Sequence, residues 1–226
     1  MKRFISFSGL DGSGKSEQSI LLADKLTKVG IRNVVLYSRI GRNRSFFIPR
    51  KVLVAVMNAV NAERDSQWKE LKQEFITQLY TRLAILDTIF QYALMYRIKS
   101  IGFEIVLCDR YIWDSFIDMK ILNKNSNIRD LPLWKLLEFV APKPSLSFVL
   151  QISAQQANIR EQLRKNDFIE PIDDSIQREQ IYKDFILEKV WDVVLNAGNS
   201  RKDVQREIIN NLIAYFPDVG SFGQDR

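Results

Sequence analysis

Residues 3 to 16 read Arg3-Phe4-Ile5-Ser6-Phe7-Ser8-Gly9-Leu10-Asp11-Gly12-Ser13-Gly14-Lys15-Ser16. The first six are a short apolar-rich run that reads as a strand. The last eight, Gly9 to Ser16, fit G-x-x-x-x-G-K-[ST] without exception. The chemistry of a phosphate loop requires this layout. Glycines let the backbone curl until successive N–H groups face phosphate oxygens. A helix that starts there adds the positive end of its dipole. Leu22, Leu26 and Val29 recur at helical spacing over 17 to 29, and Gly30 follows as a stop. The loop therefore lies between a strand and an amphipathic helix, which is the context it needs. In such a loop Gly9, Leu10, Asp11, Gly12, Ser13 and Gly14 surround the phosphates. Lys15 reaches the β- and γ-phosphates, and the Ser16 hydroxyl ligates Mg²⁺.

Outward from the loop the chain alternates strand-like and helix-like segments, which predicts an α/β fold with a parallel sheet. Strands are expected at 33–37, 104–108, 145–152 and 191–195. A long helical region over about 66 to 99 should contain a break. Helices are expected from near Ile112 and over 153–165, 175–189 and 201–215, and the polar stretch from Pro217 on should fray.

Composition removes whole reaction classes. The 226 residues include 33 basic, 27 acidic and no histidine, a formal charge of +6. Without histidine there is no Ser-His-Asp or Cys-His catalysis and no His-ligated metal. A single cysteine, Cys108, excludes an intramolecular disulfide and a Cys-rich zinc site. In its apolar run it reads as a small buried hydrophobe rather than a nucleophile. No stretch approaches the roughly 20 apolar residues of a membrane span. The start, Met-Lys-Arg-Phe-Ile-Ser-Phe-Ser, lacks the apolar region and cleavage site of a signal peptide. The expected compartment is cytoplasmic.

The strand at 104–108 runs into Asp109-Arg110-Tyr111. An apolar strand that ends in a carboxylate is the Walker-B arrangement, in which the acid organises the magnesium shell. In parallel sheets ligands bind beyond the carboxyl ends of the strands, where Asp109 would lie beside the loop. Capping of the following helix is the competing reading.

The second substrate decides the reaction. A hydroxyl acceptor needs a base, whereas a phosphate acceptor is already an anion and needs cations. Residues 39 to 51, just after the second strand, hold Arg39, Arg42, Arg44, Arg50 and Lys51 and no acid. Guanidinium forks bind phosphate oxygens in pairs. The segment favours a monophosphate, against the alternative of a solvated or nucleic-acid-facing patch. Phe46 and Phe47 within it suit either base stacking or a core.

These residues resemble the thymidylate kinase family of nucleoside-monophosphate kinases. The likeness rests on Phe7 through Ser16, on Asp109-Arg110-Tyr111, on Lys143-Pro144-Ser145-Leu146, and on the arginine-bearing segment after the fourth strand. It implies a P-loop NTPase three-layer sandwich, with a five-stranded parallel sheet flanked by helices, over residues 1–215. An acceptor segment would span about 39–82, a lid about 156–172 and a flexible tail 216–226. It also implies roles. Asp11 would contact the acceptor sugar; Arg39 or Arg42 would hold the acceptor phosphate; Arg110 and Tyr111 would complete that side. The loop carries no arginine, so the lid would supply the catalytic one. Arg160, Arg164 and Lys165 are the candidates. Asn196-Ala197 would lie near the adenine. ATP as donor, Mg²⁺ and a homodimer follow from the same likeness. Departures are Glu17 where the family has threonine, Ser8 where it often has an acid, and a helix arginine that neither Arg82 nor Arg97 matches in spacing.

The expected activity is transfer of the ATP γ-phosphoryl group to dTMP or a related monophosphate, with no nucleic-acid partner. Three alternatives stay open. They are a nucleoside or other hydroxyl kinase using Asp11 or Glu17 as base, an ATP-gated regulator that binds nucleic acid or membrane, and a plain NTPase switch.

Overall fold

Among the described residues a five-stranded parallel sheet carries the fold, its strands, counted along the chain, lying side by side in the order 2-3-1-4-5. The computed structural model describes residues 2–38, 66–123, 127–164 and 170–219. The chain divides into two compact units. One is built from Met1–Ser38, Ser100–Asp114 and Lys143–Arg226, the other from Arg39–Lys99 and Ser115–Pro142.

The first unit holds the sheet: β1 (Arg3–Gly9), β2 (Asn33–Tyr37), β3 (Ile105–Asp109), β4 (Leu146–Gln151) and β5 (Val193–Asn196). Every residue of β3 is buried, as are all but the last of β4. Near-continuous apolar runs of this kind are what a parallel sheet covered on both faces demands. Helix α1 (Lys15–Lys28) packs on β1, β2 and β3, burying Leu22 and Leu26 completely. The terminal helix α8 (Arg201–Tyr215) packs on α1 and β5. Helices α6 (Ala154–Leu163) and α7 (Ile172–Leu187) pack on each other. Phe7 and Phe148, on neighbouring strands, stack at 5.3 Å in the middle of the sheet.

The fold class read from the sequence is therefore the observed one, with small shifts. The fifth strand begins at Val193 rather than Trp191. Trp191 instead stacks on Tyr182 at 5.6 Å, and Asp192 accepts hydrogen bonds from Ser147 N (2.8 Å) and Oγ (2.6 Å). Packing and capping take those two residues before the ladder can. Residues Phe216 to Val219 belong to the expected tail 216–226, and Arg3 of β1 contacts two of them. Arg3 pairs with Asp218 at 2.5 Å and lies over the Phe216 ring, and Val219 is buried.

In the second unit α2 (Ser66–Phe90) passes through a π-helical turn (Gln91–Met95) into α3 (Tyr96–Lys99). The expected break in 66–99 is thus a widened turn and not a proline kink. It falls where Tyr92 and Tyr96 bury their rings 4.5 Å apart. Helix α4 (Ile112–Leu122) runs across the boundary of the two units. A 3₁₀ turn (Ile128–Asp130) and helix α5 (Pro132–Val140) were not expected from the sequence. α5 packs on α2 and buries Trp134, whose ring meets Phe116 edge-on at 5.1 Å.

Candidate active site

The loop Gly9–Ser16 leaves β1 at its carboxyl end, at the centre of the sheet. Two of its glycines are required by geometry. Gly12 has φ 82°, and a Cβ there would lie 2.4 Å from Ala157 O. Gly9 has φ 141°, and its Cβ would lie 2.5 Å from Leu150 O. Any larger residue would collide with fixed backbone. Lys15 is the first residue of α1 and is almost fully buried. Its ammonium donates to Gly9 O and Leu10 O, both at 2.6 Å, which holds the positive charge inside the curl of the loop.

Asp109 ends β3, directly opposite Phe7 of β1 in the parallel register. The carboxylate is buried. Burial raises its pKa above the ordinary aspartate range, opposed by the Lys15 charge and a hydrogen bond from the Ser16 hydroxyl, and assisted by the Asp114 charge. Its Oδ1 is buried with no hydrogen-bond partner. An orphaned carboxylate oxygen beside a serine hydroxyl is a hard-oxygen pair that suits Mg²⁺. Among the described residues no group of three or more His, Cys, Asp or Glu could hold a metal. A magnesium ion here would complete its shell with phosphate and water, as that ion commonly does. The neighbouring Cys108 is fully buried, and burial pushes its thiol up, so it is an inert core residue.

Arg110 and Tyr111 follow Asp109. Arg110 takes the left-handed backbone region at φ 76°, rare for a long side chain. Its guanidinium is buried and ion-paired with Asp11 of the loop, and lies 3.7 Å from Asp114. The structure thus brings Asp11 and Arg110 together. Tyr111 is buried, and burial raises its hydroxyl pKa.

Sequence reasoning missed Asp114. It lies in the first turn of α4 and is 1% exposed. Its Oδ2 accepts from Ser8 Oγ at 2.6 Å and from Tyr111 N at 3.0 Å. Its Oδ1 accepts from Tyr182 OH at 2.6 Å and from Gly9 N at 3.3 Å. One carboxylate therefore ties the root of the phosphate loop, the turn after Asp109 and helix α7 together. A carboxylate from α4 thus stands next to Ser8. An acid in a helix's first turn reads as a cap, and only the long-range partners reveal the rest.

A cleft beside the loop is lined by Gly12, Ser13 and Gly14, by Arg160 of α6 and Arg164 just after it, and by Ala197 after β5. Glu17 and Arg201 line the same cleft. Arg164, the C-cap residue that follows α6, pairs with Glu161 at 3.5 Å. Ala197 N donates to Gln151 O at 2.8 Å, which fixes the segment after β5. Arg39, Arg42, Arg44, Phe46, Phe47, Arg50, Lys51 and Lys165 lie outside the described residues. Arg82 is exposed on α2, and Arg97 of α3 donates to Val140 O at 3.5 Å.

A parallel α/β sheet with a strand–phosphate loop–helix unit at its centre defines the P-loop class of nucleotide-binding folds. The chain matches no protein-family profile. It is 29% identical over 170 residues to a thymidylate kinase of Herpetosiphon aurantiacus, a stretch covering 75% of this chain. That stretch covers 65% of the Herpetosiphon protein, so the similarity spans just under two-thirds of that kinase's length.

Proposed function

We propose that the chain is a cytoplasmic nucleoside-monophosphate kinase that transfers the γ-phosphoryl group of ATP to dTMP or a related monophosphate. The observation that carries this reading is the meeting of Lys15, Ser16 and Asp109 at the carboxyl ends of β1 and β3. Similarity to a thymidylate kinase supports it.

The loop amides from Gly9 to Gly14 and the Lys15 ammonium bind the donor's phosphates and hold them in line with the acceptor. Ser16 and Asp109 would hold Mg²⁺, which when bound neutralises charge between the β- and γ-phosphates. Asp11, Arg110 and Tyr111 form the acceptor side, with Arg39 or Arg42 on the acceptor phosphate. Arg164 and Arg160 line the cleft beside the loop and stabilise charge that develops on the transferred group. The exposed apolar side chains Phe75, Leu79 and Leu86 of α2 favour a homodimer.

Both acids named as a possible base for a hydroxyl acceptor carry an arginine partner: Asp11 pairs with Arg110, and Glu17 with Arg201 at 3.1 Å. ADP release with ATP and Mg²⁺ across a panel of monophosphates and nucleosides tests the reading. Stimulation by monophosphates alone is expected. Stimulation by nucleosides alone would overturn it, and no stimulation by any acceptor would favour a binding protein or a simple NTPase.

Arg164→Ala should lower kcat by about 10²-fold, the scale of losing one preorganised charge donor. Donor affinity should change far less, because a group that acts in the transition state does not bind the ground state equally. Steady-state kinetics with separate ADP-binding titrations would check it. A loss confined to donor affinity would move Arg164 out of that role.

A further inference from the structure

Glu17 is out of place beside a phosphate-binding loop. It sits in the first turn of α1, two residues after Lys15, and lines the same cleft as Gly12 to Gly14. A carboxylate there competes with a bound anion for the positive end of the helix. Facing it is Arg201, whose guanidinium lies 3.1 Å from Glu17 Oε1.

Local energetics do not account for Arg201. It is the first residue of α8, and a cation at a helix N-terminus opposes the dipole. The acid that suits that end, Asp203, is already present, bound by Ser200 Oγ at 2.6 Å and Arg206 at 3.0 Å. The side chains of Arg201 and Glu17 are 56% and 39% exposed, and an ion pair that open adds little to folding stability. The pair is nevertheless held in register by the backbone beneath it. The buried Gln18 side chain donates from Nε2 to Arg201 O at 3.1 Å, bolting the first turn of α1 to the first turn of α8.

We infer that Arg201 is a positioning residue for the donor: its charge cancels that of Glu17, so that the loop accepts a polyphosphate. The inference rests on the reading that the loop binds nucleotide phosphates. It makes Arg201 matter only while Glu17 carries its charge, and matter more as the ligand carries more charge. A guanidinium that touched the ligand itself would matter whatever stood at position 17.

Calorimetric titration of the full chain with ADP, AMP and adenosine distinguishes these. Arg201→Ala should weaken ADP binding about tenfold, as an uncovered charge close to a polyanion would, and adenosine binding by less than about twofold. Added salt should shrink the ADP effect. Glu17→Gln should bind ADP at least as well as the unaltered chain. In that background Arg201→Ala should lose less than about twofold. Arg201→Lys should keep near-normal affinity, which a purely structural role for the guanidinium fork would not allow. Equal losses from Arg201→Ala in both backgrounds, or an equal loss for adenosine, would overturn the inference. If the unaltered chain failed to bind ADP at all, the nucleotide-binding reading would fall and the inference with it.

Discussion

Lys15→Ala should remove at least about 10²–10³-fold of kcat/KM, the scale expected when a preorganised donor to the reacting phosphates is lost. The side chain cannot be replaced from elsewhere in the loop, since Lys15 is the only cation among residues 9 to 16. Its ammonium is buried and already held at the mouth of the loop by Gly9 O and Leu10 O. Little reorganisation is needed to turn it to a phosphate. The substitution also strips two carbonyls of a donor, a loss of about 1–3 kcal/mol in stability where no water replaces it. Thermal unfolding should accompany the kinetics, and Lys15→Met keeps most of the apolar stem. Retention of more than about a tenth of the activity would contradict a phosphate-binding role for Lys15.

Asp114→Ala should have the largest effect on stability. It would take the acceptor from Ser8 Oγ and from the amides of Gly9 and Tyr111 in one buried place, leave Tyr182 OH with Gly9 O at 3.0 Å, and strip Arg110 of one of its two acids. Breaking a buried charged network of this kind costs about 3–5 kcal/mol. For a chain of this size that lowers Tm by about 6–20 °C. The damage should be uneven, because the partners are the loop root and the turn after Asp109. Nucleotide affinity should fall with stability even below the new Tm. Asp114→Asn keeps one acceptor oxygen but places an NH₂ against groups that donate, so its loss should be intermediate. A change under about 1 kcal/mol for Asp114→Ala would mean that water or Asp11 takes over these contacts.

Lys15 and Asp114, two parts of the candidate site, differ in how legible each is in the sequence. Lys15, Ser16 and the loop glycines are readable because a backbone curled round phosphate needs those residue types at fixed spacing. Asp109 is readable because a buried strand that ends in an acid is an uneven pattern. Asp114 is different. Besides its neighbours Tyr111 and Arg110, its partners lie 105, 106 and 68 residues away in sequence, and no local pattern carries those. The Glu17–Arg201 pair is equally non-local, joining the start of α1 to the start of α8.

The fold divides in the same way. The strands announce themselves as short apolar runs, because a sheet covered on both faces leaves no polar alternation to blur them. Helix α5 does not, although Pro132 marks its first turn. Trp134 and Leu137 face inward, but Leu136 and Phe139 are apolar and exposed. At nine residues α5 is shorter than the about 11 to 18 residues over which a helical period is read. Trp191 and Asp192 misled in the opposite direction. Both fit a strand, but a ring stack on Tyr182 and a carboxylate cap on Ser147 N hold them outside the ladder.

The most direct test follows the phosphate itself. The full chain is incubated with ATP labelled on its γ-phosphate, Mg²⁺ and dTMP or another monophosphate, and the products are separated. The proposal predicts label in the corresponding nucleoside diphosphate, little label in free orthophosphate, and loss of both with Lys15→Ala. Label that appears only as orthophosphate, or stays on ATP with every monophosphate supplied, would contradict phosphoryl transfer to a nucleotide acceptor.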